Sequence, residues 1–465
     1  MKSQAGFVGC LVGMMGLMLA MSVATPTACA AMLTGKVIDA RTGQPIGGAL
    51  VTVERRVVLS GQDGGFTVDT AALQGNAIGV RAVGYGRSRV PQSLLAAPPL
   101  VVKLEPLHPK ALYLSFYGIG SRQIRNAALD LIEQTELNAL VIDVKGDRGM
   151  IPYKSKVVLA TEIGGQRIIT VRDMKELVDT LHARGVYLIA RVVTFKDDLL
   201  ATAYPQWTIR DGKGKPWLDR EHLGWIDANH QEAWKYNIDI AEEAAQLGFD
   251  EIQFDYVRFP DTPGLVFSQP NTEEMRVKAI SGFLAAARAR LIPYNVFTSA
   301  DIFGYVSWNT NDTFIGQRLD SVAPHVDYLA PMLYPSGFQF GIPGYRNPVA
   351  NSYELISLTL KRAAERTGLP AVRFRPWLQS FKDYAFDRRH FAADEISAQV
   401  RAAETFGSGG WMLWNPRNSY SNAGLKARTT RLSPLSAPAS LPTPPSSPAS
   451  SASPLPPLSR VVHRR

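Results

Sequence analysis

From Ala111 onward the chain alternates short apolar runs with amphipathic helical stretches, and this alternation constrains the fold more than any other feature. The runs fall at 112–116, 139–144, 186–192, 251–255, 296–300, 328–333, 375–379 and 410–414. Helical periodicity lies between them at 121–135, 171–183, 231–246, 272–288, 352–366 and 394–405. Ser121 and Asp394 are placed to cap helices, and Gly185 and Gly248 to end them. Eight strands, mostly each followed by a helix over about 300 residues, predict an α/β fold of the (β/α)8, TIM-like barrel type. An open doubly wound sheet is the alternative. Against it, no Gly-x-Gly-x-x-Gly follows the first run, and no P-loop occurs.

The flanking segments read differently. Residues 33–106 predict a small all-β sandwich of about six short strands, at 33–39, 49–58, 66–69, 76–83 and 101–104 among others, with a turn at 61–65. The stretch carries Gly35-Lys36-Val37-Ile38-Asp39, Pro45-Ile46-Gly47-Gly48-Ala49, Asp63-Gly64-Gly65-Phe66 and Ala82-Val83-Gly84-Tyr85. On these residues it resembles the carboxypeptidase regulatory-like, transthyretin-like family, which implies an accessory role. Residues 1–30 have the layout of an export signal: Lys2, an apolar stretch, then Ala28-Cys29-Ala30 before the cut. Both cysteines, Cys10 and Cys29, leave with it, so no disulfide or thiol chemistry is expected of the remainder. The expectation is an exported protein, periplasmic or at the surface of a Gram-negative-like bacterium, with no integral membrane segment after cleavage. Residues 430–465, rich in Pro, Ser and Ala, predict a disordered tail.

Charge excludes one class of partner. The formal net charge is +9, but Lys426, Arg428, Arg431, Arg460, Arg464 and Arg465 lie in a C-terminal stretch without acids, and setting these and Lys2 aside leaves +2. A nucleic-acid groove is not implied. Seven His are scattered without HExxH spacing, so no metal site is expected. No nucleotide or organic cofactor is implied either, and there is no Gly-x-Ser-x-Gly elbow for a serine hydrolase.

What ends each run carries the functional signal, because C-terminal strand ends reach the mouth of such a barrel. The second run ends in Asp143 and Lys145, the third in Arg191. The fourth places Glu251, Gln253 and Asp255 on one side and continues through Tyr256 and Arg258. The fifth delivers Asp301, the sixth Tyr334, the seventh Trp377 and Gln379, the eighth Trp414 and Asn415. The long segment 194–230 is expected to fold over the mouth, with Trp225 among its stacking candidates. An acidic mouth ringed by aromatics suits a carbohydrate polymer, since sugar hydroxyls seek carboxylates and sugar faces stack on rings. Glycosidic hydrolysis normally takes two carboxyl groups. Asp255 is expected as nucleophile or base beside Arg191, and Asp301 as acid, the two facing one bond from adjacent strands. Asp143 takes either role or binds hydroxyls. Lys145, Arg191, Trp225, Tyr256, Arg258, Tyr334, Trp377, Gln379, Trp414 and Asn415 are the expected substrate contacts.

The stretches Asn138-Ala139-Leu140-Val141-Ile142-Asp143-Val144-Lys145, Gly185-Val186-Tyr187-Leu188-Ile189-Ala190-Arg191 and Gly248-Phe249-Asp250-Glu251-Ile252-Gln253-Phe254-Asp255-Tyr256-Val257-Arg258-Phe259-Pro260 carry a further likeness. So do Pro331-Met332-Leu333-Tyr334-Pro335-Ser336 and Gly410-Trp411-Met412-Leu413-Trp414-Asn415. Residues 109–420 resemble a bacterial glycoside hydrolase domain family formerly catalogued as uncharacterised. The resemblance implies a barrel similar to the alpha-amylase superfamily, in which the acid closing the fourth strand, here Asp255, is the nucleophile. That superfamily often places a Glu acid/base after the fifth strand, where this chain has Asp301. The function expected is hydrolysis of a polysaccharide, with cell-envelope and exopolysaccharide material as candidates. The alternative is a non-catalytic glycan-binding or envelope-structural protein.

Overall fold

The computed structural model describes residues 32–70, 73, 77–95 and 99–435. The expected export signal, with Cys10 and Cys29, and nearly all of the expected tail lie outside the described residues.

Eight parallel strands close into a barrel: β8 (Lys110–Leu114), β9 (Ala139–Lys145), β10 (Tyr187–Val193), β11 (Glu251–Asp255), β12 (Phe297–Phe303), β13 (Tyr328–Leu333), β14 (Trp377–Gln379) and β15 (Trp411–Trp414). Before them come β1 (Met32–Asp39), β2 (Leu50–Val53), β3 (Arg56–Leu59), β4 (Gly65–Asp69), β5 (Ala77–Arg81), β6 (Ser88–Pro91) and β7 (Leu100–Leu104). These form a three-stranded sheet in the order β4-β1-β7 and a four-stranded one in the order β3-β2-β5-β6. The run at 49–58, read as one strand, is a hairpin. Glu54 turns it with a φ of 54°.

Strand alternation divides the barrel core into two shells. Ala111, Tyr113, Val141, Ile189, Phe297, Tyr328, Trp377 and Met412 fill the interior. Leu112, Leu140, Ile142, Leu188, Val192 and Phe254 face the helices. Each fully buried large side chain contributes roughly 1.5–3 kcal/mol, so both shells hold the strand ends in place.

Helix ends follow local chemistry. Ser121 caps Arg122–Gln134 by accepting from the Ile124 N–H. Gly248 ends Gln231–Leu247 in the left-handed region, with φ 110°. Asp394 is not a cap. Its helix, Ala393–Phe406, starts one residue earlier, and Glu395 reaches back to the Ala392 N–H. Among the described residues no helix is long and apolar enough to cross a membrane.

Candidate active site

Pleating aims Glu251, Gln253 and Asp255 of β11 at the barrel axis, and Phe297, Ser299 and Asp301 of β12 likewise. Strand register sets Asp143 and Gln253 on either side of Arg191 in one layer, with Ser299 beside Gln253. Asp255 stands one pleat nearer the mouth.

Arg191 gathers three acids. Its Nη1 donates to Asp143 Oδ1 at 2.6 Å, its Nε to Asp255 Oδ2 at 3.0 Å, and its Nη2 to the same Asp255 oxygen. Asp301 Oδ2 lies 4.0 Å from Nε. Tyr113 donates its hydroxyl to Asp143 Oδ2 at 2.6 Å, and Trp377 Nε1 donates to Asp301 Oδ1 at 2.8 Å. The other Asp255 oxygen accepts from the Tyr256 N–H at 2.5 Å. The guanidinium also stands over the Trp414 and Tyr113 rings, at 4.9 and 5.4 Å. Those two rings stack at 4.0 Å.

Electrostatics separate the acids. Burial works against the Arg191 charge, but Asp255 and Asp143 outweigh it and hold the group firmly protonated. Burial pushes the Asp143 carboxyl up, with Arg191 and Tyr113 opposing. Burial pushes Asp301 well above the usual carboxylate range, and the Asp255 charge adds to it. Asp301 Oδ2 meets no N–H or O–H donor. It bonds to Asp255 only when it carries a proton of its own, and that hydrogen bond raises it further.

A hollow of about 250 Å³ opens above this cluster. Asp255, Arg191, Tyr256, Arg258, Tyr334 and Trp414 line it. Asp255 is 6% exposed, whereas Asp301 is 1% exposed, and neither Asp301 nor Asp143 lines the wall. Asp255 therefore meets the hollow directly, whereas Asp301 lies beneath its wall. Both carboxyls point toward the axis and share Arg191, whose Nε lies 3.0 Å from Asp255 Oδ2 and 4.0 Å from Asp301 Oδ2.

Several expected contacts lie elsewhere. A register shift in the β9–β10 ladder pairs Lys145 with Val192 instead of the next inward position. Lys145 is wholly buried, 2.6 Å from Asp197 Oδ2 and near the Tyr236 ring. Trp377 is buried under Asp301. Gln379 is spent on Ser336 and Phe381. Asn415 ties Ser380 and Ser419 together. Trp225 is buried, donates to Asp219, and supports Arg258 from below. The sequence reading missed Phe338 and Tyr384 on the wall, whereas Phe303, Tyr305 and Met332, which it placed at the ends of the fifth and sixth strands, line the hollow as well.

The barrel, the acidic cluster at its mouth and the aromatic hollow define a glycoside-hydrolase-like domain. Residues 111–420 match the model of a family described as "Putative glycosyl hydrolase domain", and the chain belongs to that family. No curated protein matches it. Among solved structures the chain is similar to a hypothetical protein from Ruminiclostridium thermocellum ATCC 27405, with 36% identity over 41% of this chain and 96% of that one and a TM-score of 0.37. It is also similar to the PgaB (BpsB) glycoside hydrolase domain from Bordetella bronchiseptica, with 13% identity over 67% and 95% and a TM-score of 0.49. A third is the spore cortex-lytic enzyme SleL from Bacillus megaterium QM B1551, with 13% identity over 73% and 74% and a TM-score of 0.41.

Proposed function

We propose that the protein hydrolyses glycosidic bonds of a polysaccharide, with Asp255 and Asp301 acting as one acid–base unit. The observation that carries this is the sharing of Arg191 by the two carboxyls beneath an aromatic hollow. Asp255 alone of the three acids lines the hollow, and burial pushes the Asp301 carboxyl behind it toward its protonated form. Arg191 and the Tyr256 N–H each hydrogen-bond an Asp255 oxygen, while burial disfavours charge on Asp301. The proton of Asp301 passes to Asp255, which gives it to the leaving glycosidic oxygen as the C–O bond breaks. The pair, now carrying two negative charges, takes a proton from the attacking water, and the cycle closes. Asp143 and the ionised pair place negative potential beside the developing oxocarbenium ion.

A second reading, glycan binding without cleavage, draws on the full hydrogen bonding of both Asp255 oxygens. A screen of cell-envelope and capsular glycans with wild type, Asp255→Asn and Asp301→Asn separates the two. Product from wild type and none from Asp255→Asn supports hydrolysis. Unchanged turnover in Asp255→Asn removes the assignment. Binding by all three without product supports the second reading.

We read 109–420 as a (β/α)8 barrel related to the alpha-amylase superfamily and 33–106 as an accessory sandwich of carboxypeptidase regulatory-like type. We read residues 1–30 as an export signal and 430–465 as a Pro/Ser-rich tail.

A further inference from the structure

Among the described residues, Arg258 is a cation at the mouth that no carboxylate answers. Arg191 is paired with Asp255 and Asp143. Lys196 is held by Asp147, Asp219 and Glu221, at 3.6, 3.1 and 2.9 Å. Among the described residues no carboxylate lies within ion-pair distance of Arg258, although the group lines the same hollow as Asp255. One of its N–H groups goes to the Phe259 carbonyl at 3.0 Å. The guanidinium lies against two rings, with Trp225 at 5.1 Å and Tyr256 at 5.3 Å. Both supports are themselves held. Trp225 donates to Asp219 at 3.0 Å, and Tyr256 turns through the left-handed region at φ 48° directly after Asp255. A non-glycine residue rarely adopts that conformation, and strain of this kind persists where the surroundings enforce it. The turn carries the Tyr256 ring and Arg258 to the rim together.

A guanidinium braced by two rings and with free N–H groups is a pre-organised fork for a planar anion. Such a group is also needed if the ligand is negative. The interior beneath holds three acids around one arginine, and an anionic sugar is repelled from that cluster unless a cation at the rim compensates. We propose that Arg258 binds an anionic substituent of the sugar that occupies the hollow, so that the substrate is an acidic polysaccharide. The carboxylate of a uronic acid is the favoured group, because it matches the fork in plane and charge. A sulfate ester offers the same charge in a tetrahedral shape. The inference rests on reading the hollow as a glycan site.

The test is a binding titration with small probes that are not cleaved. Methyl glycosides of glucuronate, galacturonate and mannuronate are each compared with the matching neutral hexoside and its 6-sulfate, on wild type, Arg258→Gln and Arg258→Lys. Wild type is expected to bind at least one uronide about tenfold more tightly than its neutral partner, as a charge-assisted bidentate contact requires. Added salt weakens that preference. Arg258→Gln erases it, and Arg258→Lys keeps a fraction. A larger preference for the 6-sulfate assigns the site to ester groups and removes the uronate. Equal binding of neutral and acidic members, no binding of any member, or the same preference in Arg258→Gln overturns the proposal. If Arg258→Gln does not fold, the ratio within wild type and its salt dependence decide. The hydrolase reading fails separately. Acid preference without turnover of any glycan removes hydrolysis and leaves Arg258. Turnover of a neutral glycan that Arg258→Gln leaves intact does the reverse.

Discussion

At the scale of single residues the site turns on one proton. Burial and the Asp255 charge keep Asp301 protonated well above the usual carboxylate range. Its pKa is raised in the folded chain, so its contribution to stability is complete at low pH and is lost as pH rises through the elevated value. The active state has the same dependence, because the proton it supplies is gone above that value. The rate is therefore expected to fall on the alkaline side with an apparent pKa belonging to the pair. Asp301→Asn separates the two effects. An amide keeps the shape of the side chain but cannot hand over a proton. Turnover is expected to drop by about 10²–10⁴-fold, while thermal unfolding shows equal or greater stability at alkaline pH. Retained turnover in this variant removes the proton unit. Trp377→Phe tests it from the other side. The indole N–H lowers the Asp301 pKa, so its loss is expected to move the alkaline limb of the pH–rate profile upward. A limb that stays in place would mean that another group titrates there.

At the scale of elements, what was legible followed from period. The fourth and sixth barrel strands were read with the bounds they have, 251–255 and 328–333, because apolar runs between turn residues have few other solutions. The inward aim of Asp255 and Asp301 came from alternation alone. Lys145 shows where alternation fails. One bulge in the β9–β10 ladder reverses every inference past it, and no residue type announces that bulge. The far wall of the hollow was illegible for a related reason, since Phe338 and Tyr384 come from irregular segments after β13 and β14 that have no period to read. Both cases give predictions. Lys145 Nζ and Asp197 Oδ2 form a sealed ion pair, and Asp197 also caps the helix Asp198–Ala203 through the Leu200 N–H. Lys145→Ala leaves a buried charge unpaired and is expected to cost about 3–5 kcal/mol in denaturant unfolding, with KM of the folded fraction unchanged. A raised KM at unchanged stability would return Lys145 to the mouth. Gly304 lies against the wall. A Cβ there would stand 2.4 Å from the Phe338 ring and 2.7 Å from the Met332 carbonyl. Gly304→Ala is expected to cost about 1–3 kcal/mol and to raise KM by pushing the Phe338 ring into the hollow.

At the scale of the whole molecule, the N-terminal sheets close the barrel at the end opposite the hollow. Arg81, 2% exposed, lies 3.7 Å from Asp327 and donates to Asn295, just before β13 and β12. Arg87 reaches Asp250, before β11, at 3.0 Å, and the Gly248 carbonyl at 2.6 Å. The Gly84 N–H donates to the Tyr328 hydroxyl in the barrel floor at 3.0 Å. Every one of these contacts falls at N-terminal strand ends, where such barrels place stability and not chemistry. Burial alone would raise both carboxyls, yet Arg87 and His182 hold Asp250 below the usual range, and Arg81 and Arg288 do the same for Asp327. A lowered pKa contributes stability above the unfolded value near ~3.9, and that stability is lost as pH falls through the lowered one. The docked end is thus expected to fail on the acid side, while the Asp301 contribution fails on the alkaline side. Arg81→Met tests the separation. It strips one buried cation from Asp327, and Arg288 remains 3.2 Å away on the other oxygen. The variant is expected to lose several kcal/mol at pH 7, because a buried charge loses a partner. Its stability should also fall less steeply below pH 5 than that of wild type, since less of the Asp327 shift remains to be lost. The alkaline limb of its activity should not move, because the proton pair sits at the other end of the barrel. An unchanged acid slope would show that the Arg81–Asp327 contact does not set the acid limit. A displaced alkaline limb would show that floor and mouth are coupled through the polar column of Glu251, Gln253 and Asp255 along β11.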